Sequence, residues 1–102
     1  MSERASGCPG NVDPLLRPLI PGYLAARRED LAMLESALAE GAWLRIAGIG
    51  HRLAGSGGSY GFPHISKLGA RLERAGEARD AAGARQAIQT LHQVVTQALA
   101  GG

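Results

Sequence analysis

Residues 49–63 read Ile49-Gly50-His51-Arg52-Leu53-Ala54-Gly55-Ser56-Gly57-Gly58-Ser59-Tyr60-Gly61-Phe62-Pro63, and their spacing decides the fold. At about 100° per residue, Ala42, Ile46, Ile49, Leu53 and Tyr60 fall on one side of a helix, with Gly50 and Gly57 at its margin. His51 falls nearly opposite, in line with Leu44, Ala47, Gly48, Gly55 and Gly58. The stretch is therefore the second half of an amphipathic helix, expected from Ala42 to about Gly58 and closed by a glycine-rich turn at Gly61. One face is an apolar stripe. The other is a histidine in a clearing of very small side chains.

That clearing has a thermodynamic cost. A glycine in a helix interior is less stable than alanine by about 1 kcal/mol. Close helix packing accounts for Gly50 and Gly57 at the margin of the stripe. It does not account for Gly48, Gly55 and Gly58, which lie on the His51 side. Small residues beside an outward-pointing imidazole let another molecule approach it closely, so the sequence presents His51 rather than packing it.

Working outward, helical spacing continues on both sides. Upstream, Ile20, Leu24, Leu31, Leu34 and Leu38 define a helix from about Ile20 to Ala39, with Arg27, Arg28, Glu29, Asp30 and Glu35 on its solvent side and Gly41 as its C-terminal cap. Asp13-Pro14 suits the start of a short extra helix, Leu15–Leu19, bounded by Pro18 and Pro21. Residues 1–12, rich in Ser, Gly and Pro, form an expected flexible tail. Downstream, Pro63 fits the first position of a third helix. Its stripe is Ile65, Leu68, Gly69, Leu72, Ala75 and Gly76, with Lys67, Arg71 and Arg74 pointing away and Glu73 on the flank. A loop around Gly76–Asp80 leads to a last helix, Ala81 to Leu99, with the stripe Ala84, Ile88, Leu91, Val95 and Leu99. Four long amphipathic segments joined by short loops predict an all-α, antiparallel up-down four-helix bundle over residues 13–100.

Composition narrows the function. The chain has 102 residues, 45% of them hydrophobic, enough for one domain with a modest core. A formal net charge of +2, carried by ten arginines and one lysine against nine acids, includes no long basic run. Nucleic acid is therefore not an expected partner, whereas an acidic protein surface is. Cys8 is alone, so neither a disulfide framework nor a metal motif is expected. With no apolar run of about 18 residues and no signal-peptide pattern, the expected location is the cytoplasm and no membrane partner is expected.

His51-x-Leu53-x-Gly55-Ser56, followed by Gly58, Gly61 and the apolar Phe62, resembles the signature of histidine-phosphotransfer (HPt) domains. The likeness extends over roughly Leu19 to Leu99. It implies a helical bundle in which His51 accepts a phosphoryl group from a receiver-domain aspartate and passes it to another receiver domain. Such a chain is a phosphoryl carrier without turnover of its own, expected to be monomeric and to hold no cofactor, with Mg²⁺ belonging to the receiver. The family often has lysine three residues after the histidine, where this chain has Ala54.

The resemblance also assigns roles. Glu73, 22 residues after His51, occupies the place of a family Gln or Glu that orients the imidazole. Imidazole suits the task because its neutral form is a good nucleophile near neutral pH. The partner surface would comprise Leu44, Arg45, Ala47, Gly48, Arg52, Ala54, Gly55, Gly58 and Lys67. Of these, Arg45 and Arg52 share one edge beside His51 and are the candidates to replace the missing lysine. Lys67 is a more distant one. Leu44 would be an apolar docking residue.

Other readings are weaker. His64, in the first turn of a helix, is expected to be solvated, and His92 is expected to be packed or half-buried beside the last helix's stripe. Three histidines on three helices do not have metal-site spacing. The Gly55–Gly61 run lacks the preceding strand and the Lys-Ser/Thr ending of a P-loop. Trp43 and Tyr60 are expected at the edge of the core. The alternative to a carrier is a helical adaptor of the same fold that docks a receiver or kinase domain without being phosphorylated.

Overall fold

The computed structural model describes residues 12–101. Four helices, α1 (Ile20–Glu40), α2 (Trp43–Ser56), α3 (Pro63–Ala78) and α4 (Ala81–Gly101), follow one another with short connections. Successive helices pack on one another, and α4 closes the ring on α1. The result is an up-down bundle, 43 × 21 × 20 Å along its principal axes. Leu34, Ile46, Leu53, Ile65, Leu72, Leu91 and Val95 are fully buried at its centre. Each such side chain stabilises the fold by about 1.5–3 kcal/mol relative to exposure.

The helix ends follow from local chemistry. Gly41 adopts φ +69°, and the Ala42 N–H donates to the Ala37 carbonyl at 2.8 Å while the Gly41 N–H donates to Leu38 at 3.2 Å. This pair of bonds satisfies carbonyls that the helix end would otherwise leave open. The same pair recurs at the end of α3, where the Asp80 N–H donates to Ala75 and the Arg79 N–H to Gly76. There the left-handed residue is Arg79, at φ +53°. Asp80 then caps α4, its Oδ1 accepting the Gly83 N–H at 3.0 Å.

Element boundaries depart little from the sequence expectation, and the differences have causes. The short N-terminal helix is a turn followed by a single 3-10 turn, Arg17–Leu19. Asp13 Oδ1 accepts the Leu15 N–H at 2.9 Å, and Pro21 sits in the first turn of α1. α2 stops at Ser56 and a 3-10 turn, Gly58–Tyr60, continues to Gly61 at φ +83°. Gly76 is not in a loop: it is buried inside α3, facing α2. Val12, grouped with the tail by its neighbours' composition, is buried. The rest of the expected tail, including Cys8, lies outside the described residues.

α1 holds the largest difference. Its stripe includes Leu24, Leu31 and Leu34 as expected, but Tyr23, Ala37 and the charged Asp30 are buried as well. Asp30, expected on the solvent side, lies on the seam between α1 and α2. Periodicity assigns charges to solvent by default, and it cannot see a partner arriving from another helix. His92 differs in the opposite sense. It is exposed, at the edge of an open groove between α1 and α4 lined also by Arg28, Ala32 and Thr96.

Candidate functional site

α2 is held differently on its two flanks. Toward α3 the contact is backbone to backbone. A β-carbon added at Gly50 would lie 2.5 Å from the Glu73 nitrogen, and one added at Gly76 would lie 2.7 Å from the Ala47 nitrogen. One added at Gly57 would lie 2.6 Å from the Ser66 nitrogen, and one at Gly69 would collide with the Ala54 nitrogen. Glycine here is required by the space available, since interiors packed at crystal density do not absorb an extra methyl group. Ser66 fastens the end of the seam. Its hydroxyl donates to the Ala54 carbonyl at 3.0 Å and accepts the Gly58 N–H at 2.8 Å.

This close approach places Glu73. Its backbone nitrogen abuts Gly50, the residue before His51, so its carboxylate reaches the imidazole across the seam. Nδ1 of His51 lies 3.1 Å from Oε2 of Glu73. A carboxylate oxygen accepts, so Nδ1 is the ring nitrogen that donates in this contact, and in the neutral ring Nε2 is then the nitrogen with the lone pair. The His51 side chain remains 76% exposed and that of Glu73 31%. The arrangement is thus an oriented imidazole on a largely exposed side chain.

Toward α1 the flank is polar. The Tyr23 hydroxyl and Ser56 Oγ are 2.9 Å apart, and the Tyr23 ring stacks on Tyr60 with centroids 4.1 Å apart. The Arg27 guanidinium lies over the Tyr23 ring, and its Nε pairs with Asp30 Oδ2 at 2.9 Å. Asp30 Oδ1 then faces Arg52 Nη2 at 3.7 Å. A continuous run of polar and aromatic groups therefore leads from Ser56 through α1 and back to Arg52, the residue after His51.

The face around His51 is open. Leu44 is 91% exposed, and β-carbons added at Gly48 or Gly55 would meet nothing within 4 Å. Gly58 is equally exposed, with only Ser66 Oγ near. Ala47 and Ala54 are half-buried, turned toward Gly76 and Gly69 on the α3 seam. Arg45 is exposed and pairs with Glu40 at 3.5 Å. Lys67 is exposed on α3, and His64 is exposed in the first turn of that helix. Trp43 and Tyr60 pack at the edge of the core.

Tyr23, Asp30, Ser56 and Ser66 are the contributors that periodicity alone does not single out. One signal for the first two was present in the sequence: Tyr23, Arg27 and Asp30 recur at i, i+4 and i+7 on one helix edge. Among the described residues, no three His, Cys, Asp or Glu side chains gather as a metal-holding group. Among them, too, no helix is long and apolar enough to cross a membrane.

Comparison with known protein families gives a match over most of the chain. The family model described as Hpt domain matches residues 22–101, which spans all of α2, α3 and α4 and nearly all of α1. No curated protein and no solved structure matches the chain significantly.

Proposed function

The chain belongs to the Hpt domain family, and on that footing we propose that it carries a phosphoryl group on His51, accepting it from one receiver-domain aspartate and passing it to another. Membership of the family implies a phosphotransfer carrier in two-component signalling rather than an enzyme with its own turnover. The assignment of residues is our own reading. The observation that carries it is the 3.1 Å contact of His51 Nδ1 with Glu73 on an otherwise exposed ring.

In this reading the Nε2 lone pair attacks the phosphorus of the aspartyl phosphate. The P–N bond forms as the P–O bond breaks, and the aspartyl carboxylate leaves with the electron pair. Nδ1 keeps its proton throughout, and the carboxylate of Glu73 offsets the positive charge that the ring gains. Passing the group on reverses these changes. The receiver contributes its aspartate and Mg²⁺, while this chain contributes the nucleophile, the platform of Gly48, Gly55 and Gly58, and the apolar contact of Leu44. With Ala54 in place of the lysine, cationic help falls to Arg52, Arg45 and Lys67. The proposal places the chain in the cytoplasm as a monomer.

The test is transfer from a radiolabelled phosphorylated receiver domain to this chain and to its His51→Gln variant. Acid-labile label on the wild type, absent from the variant, is the expected result. Label retained by the variant rules out His51. Binding to a receiver without any label would favour a docking adaptor, a reading to which Ala54 lends support.

A further inference from the structure

Asp30 is a charged residue in a setting that stability alone does not explain. It is 6% exposed, and a buried ion pair is on average no more stable than apolar residues of similar volume. Its two oxygens are also held unequally. Oδ2 pairs with Arg27 at 2.9 Å, on a side chain only 16% exposed. Oδ1 faces Arg52 at 3.7 Å, on a side chain 64% exposed. Arg27 is therefore the close, buried partner of Asp30, although its Nε makes no hydrogen bond of good geometry, and Arg52 is the longer and more exposed partner.

We propose that Asp30 is a positioning residue that parks Arg52 beside His51, and that Arg52 leaves Asp30 for the phosphoryl group once it is on the imidazole. The inference rests on the relay reading above and deepens it. Arg52 follows His51 directly on α2, about 100° around the helix, and its side chain is 64% exposed, so the exchange asks it to swing from the α1 seam toward the ring. A phosphoryl group carries more negative charge than the carboxylate and is not already paired with Arg27. It also offers the guanidinium bidentate geometry. No bond forms or breaks in the exchange, which is a competition between two anions for one cation. The cost of Ala54 is thereby met from the opposite edge of α2, with the cation stored rather than free.

The exchange predicts coupling between the two residues. The experiment phosphorylates His51 with ammonium phosphoramidate, which transfers its phosphoryl group to the imidazole with loss of ammonia, and measures the fraction of phosphohistidine shared at equilibrium with a receiver domain. Asp30→Asn removes the competitor and shifts that equilibrium toward phosphohistidine by a factor of about three to five, the scale of a half-exposed ion pair. Arg52→Ala lowers it, and the double variant behaves as Arg52→Ala does. An Asp30→Asn effect of equal size with and without Arg52, or no effect, overturns the inference while leaving the relay standing. A His51 that takes no phosphoryl group from either donor overturns both. Should Asp30→Asn fail to fold, the Arg52 Nε–Hε resonance of the wild-type chain decides. A shift on phosphorylation supports the exchange, and an unmoved resonance overturns it.

Discussion

Gly50 and Gly69 meet across the α2–α3 seam with no room for a β-carbon on either. One added to Gly50 would lie 2.6 Å from the Gly69 carbonyl oxygen, and one added to Gly69 would lie 2.7 Å from that of Gly50. Both obstacles are backbone, which cannot swing aside. Gly50→Ala and Gly69→Ala should therefore each destabilise the fold by about 2–3 kcal/mol in urea unfolding, although alanine favours helix. The surviving folded fraction should show a weakened His51–Glu73 contact, visible as a changed Nδ1 signal in nitrogen NMR of the imidazole.

Gly48 should respond in the opposite sense. A methyl group there meets nothing, so Gly48→Ala should stabilise the fold by about 0.5–1 kcal/mol. If the clearing serves a partner, the same variant should bind a receiver domain more weakly in calorimetric titration. Greater stability with unchanged receiver affinity would show that the clearing is not a docking surface.

Glu73 tests orientation against simple charge. Glu73→Ala leaves the imidazole free to take either tautomer and should slow phosphoryl acceptance by about tenfold or more. Glu73→Gln keeps an acceptor oxygen for Nδ1 and should recover most of the rate. Equal losses in both variants would mean that negative charge, not proton placement, is what the ring requires.

Arg79 closes α3 in a conformation that favours glycine, at φ +53°. Arg79→Gly should stabilise the chain by about 1 kcal/mol. For a domain of this size that corresponds to a rise of about 4–8 °C in thermal midpoint. The gain should leave phosphoryl acceptance unchanged, since Arg79 lies at the α3–α4 turn, more than one helical turn beyond Glu73.

The residues that disclosed themselves in sequence are those whose environment is set by their own helix. The α3 stripe of Ile65, Leu68, Gly69, Leu72, Ala75 and Gly76 is buried as a set, because one face of an amphipathic helix has only one way to leave water. His51 was legible for the converse reason, as a polar ring surrounded by residues too small to cover it. Asp30 was not, because its burial on the α1–α2 seam depends on a neighbouring helix and its charge is met by Arg27 and Arg52. Nor was the exposure of His92, which depends on how closely α1 approaches α4. The loop expected from around Gly76 begins only after Ala78, because a glycine that ends a helix and one that lets two helices touch look alike in one dimension.

The seam between α2 and α3 also settles which intervals of the chain carry meaning. Gly50 abuts Glu73, Gly69 abuts Ala54, and Gly57 abuts Ser66, so the two helices are meshed tooth against tooth. The 22 residues from His51 to Glu73 are incidental to that meshing. A residue added at Ser59 would lengthen the turn and leave the teeth engaged, with imidazole and carboxylate still facing. A residue added between Gly69 and Glu73 would turn the carboxylate about 100° around its helix and out of reach, in a protein of otherwise similar composition. Two short rulers thus measure out the site: one residue from Gly50 to His51, and four from Gly69 to Glu73.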